Sequence, residues 1–131
     1  MQNRFKFRIW NNGEMHHNDF VVTATGFVGK ITEEFLGKCV FNQEDLTTDK
    51  ECVLMQCTGL KDKNGKLIYI GDVVKDVATN SIYKVGEKKC AIYIENDEYI
   101  GYFHELSMAY AEKRLEVIGN IYENKEILNE I

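Results

Sequence analysis

Leu54-Met55-Gln56-Cys57-Thr58-Gly59-Leu60-Lys61-Asp62-Lys63-Asn64-Gly65-Lys66-Leu67-Ile68-Tyr69-Ile70-Gly71-Asp72-Val73-Val74 sets a dense turn signal, a buried-strand signal and a run of lysines side by side. Asn64-Gly65 is the dipeptide of a tight turn, because both residues tolerate positive backbone angles. Ile68 to Val77 is apolar, and Gly71-Asp72 interrupts it where a bend or bulge belongs. The block therefore divides in two. Ile68 to Val74 is expected to be the first strand of a barrel, and Thr58 to Lys66 the exposed loop that leads into it.

Downstream, short β-branched and aromatic runs alternate with turn residues. Ser81 to Val85 follows a tight Asn80-Ser81 turn. Cys90 to Ile94 ends at Glu95-Asn96-Asp97, Tyr99 to Phe103 returns, and Leu115 to Tyr122 is the last strand. Between the last two, Leu106, Ala109, Tyr110 and Lys113 fall on one helical face, and Lys113-Arg114 closes its C-terminal end, so His104 to Arg114 is read as a short helix. The sequence contains no proline, so Gly, Asn and Asp must make every turn. Five short strands with one short helix before the last strand is the pattern of a small Src-homology-3-type (SH3-like) barrel. Such closure removes exposed sheet edges.

Upstream, Arg4-Phe5-Lys6-Phe7-Arg8-Ile9-Trp10 alternates strictly. Phe5, Phe7 and Ile9 share one face; Arg4, Lys6, Arg8 and Trp10 share the other. Asn12-Gly13 marks a hairpin turn, and Met15 to Thr25 could supply its partner strand. Ile31 to Leu36 fits a helical turn or a strand equally well, residues 42–51 read as a polar loop, and the secondary structure of 26–53 stays undecided. The chain is thus expected to be mainly β and one compact domain: a β-rich N-terminal extension, 1–53, packed on an SH3-like barrel, 54–131.

At 131 residues, 44% hydrophobic and 28% charged, the chain is an ordinary globular domain that needs no metal or disulfide to hold a core. No apolar run approaches the ~20 residues of a membrane span, and the alternating N-terminus is not a signal peptide. The expected location is cytoplasmic, in contact with no membrane. Cys39, Cys52, Cys57 and Cys90 form no C-x-x-C pair or common zinc framework and read as reduced, partly buried thiols. Sixteen basic and 21 acidic residues give a net charge of −5, which argues against a clamp on long duplex DNA. The charge is uneven: residues 61–90 carry 7 basic and 4 acidic groups, residues 91–131 carry 3 and 9.

Three separated segments resemble a known family. Phe5-Lys6-Phe7-Arg8-Ile9-Trp10 looks like its opening basic-aromatic strand, Leu54 to Val74 is close to its most specific motif, and Glu116-Val117-Ile118-Gly119-Asn120-Ile121-Tyr122-Glu123-Asn124 is similar to its closing strand. On these motifs the chain is identified as YopX-like, a family of phage and prophage proteins of bacteria. The resemblance implies an SH3-type barrel with an N-terminal extension, located in a bacterial host cell, and it implies no activity. Family members often follow the closing Glu-Asn with Pro, which starts a short terminal helix; here Lys125 takes that place, and Asn124 is left to cap the helix.

Lys61, Lys63, Asn64 and Lys66 are the first candidates for partner binding. They fit either a solvated turn or a basic surface that meets phosphate or a carboxylate-rich protein. Arg4, Lys6 and Arg8 with Trp10 are the second: a tryptophan among arginines stacks on bases or packs against the arginine stems. Asp72 is read as a bend residue bonded to nearby backbone and not as a general base. His104-Glu105 lacks the second histidine of the zinc-protease helix, because Met108 stands there, and the adjacent His16 and His17 point to opposite sides of a strand. No catalytic residue, metal site or cofactor is expected. The expected function is a non-enzymatic interaction module for a host or phage protein; the alternative is an accessory protein that binds nucleic acid. Self-association is expected to follow from the opposite charges of residues 61–90 and 91–131.

Overall fold

The computed structural model describes residues 6–11, 13–17, 20–22, 28–35, 38–41, 53–89, 91–107 and 109–128. The chain is mainly β, with twelve strands among the described residues. It divides into two compact units, Met1–Lys6 with Gln56–Ile131, and Phe7–Met55.

In the unit Phe7–Met55, β1 (Phe7–Asn11) and β2 (Glu14–His16) form the expected hairpin. Trp10 pairs with Met15 and Asn11 with Glu14, and Gly13 at φ +80° turns the chain. A second sheet holds β3 (Phe20–Val22), β4 (Val28–Phe35) and β5 (Lys38–Phe41) in that order. The segment Ile31 to Leu36 is therefore mostly strand. The polar loop expected at 42–51 lies outside the described residues. The alternation expected of β1 fails at one residue: Arg8 is 6% exposed, beside Ile9 at 2%. Alternation signals a strand with one wet face, and β1 is instead buried on both faces.

β6 (Val53–Lys61), which belongs to the other unit from Gln56 onward, pairs with β7 (Leu67–Tyr69). β6 runs well past the point where the loop was expected to begin. Thr58 is buried, and its Oγ1 donates to the Ile68 carbonyl at 2.8 Å. Gly59, at φ +85°, lies in the register shift between Cys57 and Lys61, where only glycine takes that angle freely. Only Asp62 to Lys66 remains as loop.

Then come β8 (Asp72–Asp76), β9 (Ser81–Lys88), β10 (Ala91–Glu95) and β11 (Ile100–Tyr102), a 3-10 turn at Phe103–Glu105, α1 (Tyr110–Arg114), β12 (Leu115–Asn120) and α2 (Lys125–Leu128). The sheet order is β11-β10-β9-β8-β12, so the last strand returns beside the first of the meander. That order fits an SH3-like barrel, with the sheet left open between β11 and β12. The helix expected over His104 to Arg114 is interrupted. Leu106 is extended, at ψ 162°, and splits a 3-10 turn from a single α-helical turn whose buried residue is Ala111.

The core follows from strand alternation. Val74, Tyr83, Val85 and Ile94 point to one face of the sheet and pack with Ile68, Ala111 and Leu115. Each valine, isoleucine or leucine among them contributes about 1.5–3 kcal/mol by leaving water. Lys84, between two of them, stays exposed and pairs with Glu95 at 3.1 Å.

At the end of β12 the Asn124 Oδ1 accepts the Asn120 N–H at 3.1 Å, and the Asn124 carbonyl accepts the Ile127 N–H at 3.0 Å where α2 begins. A Cβ on Gly119 would stand 2.5 Å from that same Oδ1. Gly119→Ala should push the Asn124 amide aside and break this bond. The expected cost is about 1–2 kcal/mol, the worth of a lost hydrogen bond with some strain, read as a lower urea midpoint at unchanged slope.

Candidate functional site

The loop between β6 and β7 is built on one buried carboxylate. Asp62 is 3% exposed. Its Oδ1 accepts the N–H groups of Asn64 and Lys66, each at 2.9 Å, and its Oδ2 accepts the N–H of Val117 in β12, also at 2.9 Å. Main-chain bonds close the turn: Asp62 N–H donates to the Lys66 carbonyl at 2.8 Å and Gly65 N–H to the Asp62 carbonyl at 3.0 Å. Lys63 N–H donates to the Leu115 carbonyl at 2.8 Å, a second tie to β12. Gly65 has φ +81° and open space around its Cβ position, so it is there for its backbone angle alone. With the backbone so occupied, Lys61, Lys63, Asn64 and Lys66 all project into solvent.

Leu60, just before Lys61, lines a pocket of about 160 Å³ together with Phe103, Ser107 and Ala111. The residue that leads into the lysine loop thus lines an apolar recess on the same unit.

The basic balance of residues 61–90 is stronger at the surface than its formal charge. Of its four acidic groups, Asp62, Asp72 and Asp76 are buried and only Glu87 is exposed. Lys61, Lys63, Lys66, Lys84, Lys88 and Lys89 are exposed.

The other buried acids are engaged by hydrogen bonds within the fold. The Asp72 Oδ2 accepts the Tyr69 N–H at 2.8 Å, which fixes the bend at Gly71, φ +93°. Asp76 holds the end of β8 to α1. Tyr110 Oη donates to its Oδ2 at 2.7 Å, Arg114 Nε and the Ala78 N–H donate to Oδ1 at 3.1 and 2.9 Å, and Arg114 Nη2 lies 2.8 Å from Oδ2. Burial alone pushes the Asp76 carboxyl up; the hydrogen bonds from Tyr110, Ala78 and Arg114, with the guanidinium charge, outweigh it and hold the group below its ordinary value. Burial, then the Asp76 carboxylate, pushes the Tyr110 phenol well above its ordinary value.

The second expected surface is not assembled as the alternation implied. Lys6 is exposed and Trp10 half-buried, but Arg8 is buried, and Arg4 lies outside the described residues. His16 and His104 each sit 3.7 Å from a neighbouring glutamate, Glu14 and Glu105. Cys57 is a buried free thiol, and its Sγ accepts the Gly59 N–H at 3.4 Å. Cys52 and Cys90 are outside the described residues.

Two features went unread in the sequence. Asp62 was overlooked among the lysines, although an aspartate two residues before Asn-Gly is the signature of a side chain that bonds the turn's own backbone. The β10–β11 tip, with Tyr99 45% and Ile100 55% exposed, carried no signal beyond its turn.

The model of the family described as YopX protein matches residues 6–129. Among solved structures, protein EF1440 from Enterococcus faecalis is similar, with 25% identity and a TM-score of 0.56, over 94% of this chain and 96% of that one. Among curated proteins, none matches. No helix of the described residues is long and apolar enough to cross a membrane.

Proposed function

This chain belongs to the YopX protein family, and on that premise we propose that it is a non-enzymatic interaction module, of phage or prophage origin and at work in the host cytoplasm. Its lysine loop meets an acidic surface of a phage or host protein. What carries the proposal is the anchoring of that loop. A solvated turn needs only its Asn-Gly pair, whereas here a buried carboxylate with three backbone bonds and a second tie to β12 fix the backbone positions of Lys61, Lys63 and Lys66. Fixing them in advance cuts the ordering cost of binding. Asp72 and Asp76, the other buried acids of the segment, are committed to Tyr69, Tyr110 and Arg114 and serve the fold.

The test is capture from a lysate of lysogenic host cells with the wild type and with Lys61→Glu/Lys63→Glu/Lys66→Glu. The triple variant should lose the partner by about tenfold or more, because like charges across an interface cost several kcal/mol. Equal recovery by a variant with an unchanged circular-dichroism spectrum would remove the proposal.

A second reading is favoured by one observation, the excess of exposed lysines over Glu87 in residues 61–90. On it the chain is an accessory protein that binds nucleic acid. Mobility shifts with single- and double-stranded DNA and with RNA should then weaken steeply with salt; no salt-sensitive shift would dispose of it.

A further inference from the structure

The tip of the β10–β11 hairpin is as firmly built as the lysine loop. Asn96 Oδ1 accepts the N–H groups of Glu98 and Tyr99, each at 2.9 Å, and Asn96 N–H donates to the Tyr99 carbonyl at 2.9 Å. Asn96 Nδ2 donates to the Ile82 carbonyl at 3.2 Å, which ties the tip to β9. On this frame Asp97 and Glu98 are exposed. Beside them stands Ile100, the most exposed large apolar side chain among the described residues, at 55%, while the Tyr99 ring packs edge-on against Tyr83 with the ring centroids 6.0 Å apart.

The tip therefore joins two carboxylates to an apolar knob, and the residue just before the loop of three ammonium groups lines an apolar recess. Each feature of one has its complement in the other. A cavity of roughly 150 Å³ takes a benzene-sized guest, so the pocket of about 160 Å³ lined by Leu60, Phe103, Ser107 and Ala111 suits one isoleucine or tyrosine side chain. Within one chain the knob stays in solvent, as the exposure of Ile100 shows. Ile100 and Phe103 are fixed three residues apart along one segment, about 10 Å at the rise of a strand.

We propose that tip and loop form an interface between two copies of this chain. The Ile100 side chain of one copy enters the pocket of the other, and Asp97 and Glu98 face Lys61, Lys63 and Lys66. The inference rests on the loop being a binding surface, as in the proposed function, and names a second copy as its partner. Charge complementarity sets the register of the contact and speeds its formation. Placed head to tail, it leads to rings or chains of copies; placed reciprocally, it closes a dimer.

Sedimentation velocity over a range of protein and salt concentrations tests this with three variants. Wild type should associate at low salt and dissociate as salt rises. The tip-reversed variant, Asp97→Lys/Glu98→Lys, and the loop-reversed variant, Lys61→Glu/Lys63→Glu/Lys66→Glu, should each be monomeric. Their equimolar mixture should associate again, since each then offers what the other lacks. Ile100→Asp should abolish association and leave the circular-dichroism spectrum unchanged. A wild type that stays monomeric at low salt, association indifferent to both reversals, or a mixture that fails to restore it would each overturn the interface. A monomeric wild type whose loop-reversed variant still loses its captured partner overturns the contact between copies and leaves the proposed function standing.

Discussion

Asp76→Ala is expected to lower the unfolding free energy by about 2–4 kcal/mol, read as a fall in urea midpoint at neutral pH. The carboxylate is 2% exposed and accepts from Tyr110, Arg114 and Ala78. Removing it leaves a half-buried phenol without its acceptor, a cost of about 1–3 kcal/mol, while the N–H of the exposed Ala78 can turn to water at a smaller cost. The guanidinium adds less than a fully buried charge would, because the Arg114 side chain is 41% exposed and regains water. Two further ties at the same corner, Val77 N–H to the Arg114 carbonyl at 2.8 Å and Asn80 N–H to the Asp76 carbonyl at 2.7 Å, keep the variant folded. Asp76→Asn should cost less, since its amide oxygen still accepts from part of this set. A midpoint unchanged by the alanine would mean that the corner is held by its backbone bonds alone.

The same cluster shapes stability against pH from both sides. The folded carboxyl of Asp76 lies below its ordinary value of 3.8. Its contribution is therefore complete above that value and is lost as the pH falls toward the folded pKa, because the unfolded chain takes up the proton first. The folded phenol of Tyr110 lies above its ordinary value of 10.0. Its contribution is complete below pH 10 and is lost as the pH rises toward the folded pKa, because the unfolded chain then releases the proton first. Asp76→Asn should flatten the acid limb of a stability profile, and Tyr110→Phe the alkaline one.

The sequence was most legible where a residue has one physical use. Gly71, Gly65 and Asn96 mark turns because few residues make those backbone angles or bond their own turn, and all three lie at the ends of strands in the fold. The run from Leu115 was legible because β-branched residues next to a helical turn leave little choice but a strand. Reading failed where the deciding contact is remote. Thr58 looks like a loop residue until the Ile68 carbonyl, ten positions away, takes its hydroxyl proton. Arg8 alternates with apolar neighbours and so reads as wet, yet burial on both faces leaves no trace in a period of two. Among the site residues, the lysines were found because charge is visible in composition. The bonds of Asp62 to its own turn were open to reading, whereas its tie to β12, 55 residues away, was not.

That remote partner makes Asp62 the residue on which loop and function should fail together. Asp62→Ala leaves the N–H groups of Asn64, Lys66 and Val117 without their acceptor. Asn64 and Lys66 are exposed and can turn to water, whereas Val117 is half-buried, so the expected loss is about 2–3 kcal/mol and not three full penalties. Asp62→Asn should be no milder. Both carboxylate oxygens receive backbone N–H groups, so an amide in either orientation sets its own NH₂ against a donor. Hydrogen exchange should quicken at Asn64, Lys66 and Val117 in both variants before the rest of the sheet responds. Binding by the loop should also weaken although every lysine remains, because the freed loop backbone that carries them must then be ordered at the moment of contact. Full binding by a folded Asp62→Ala protein would show that the lysines act as loose charges, and that the buried carboxylate serves the fold alone.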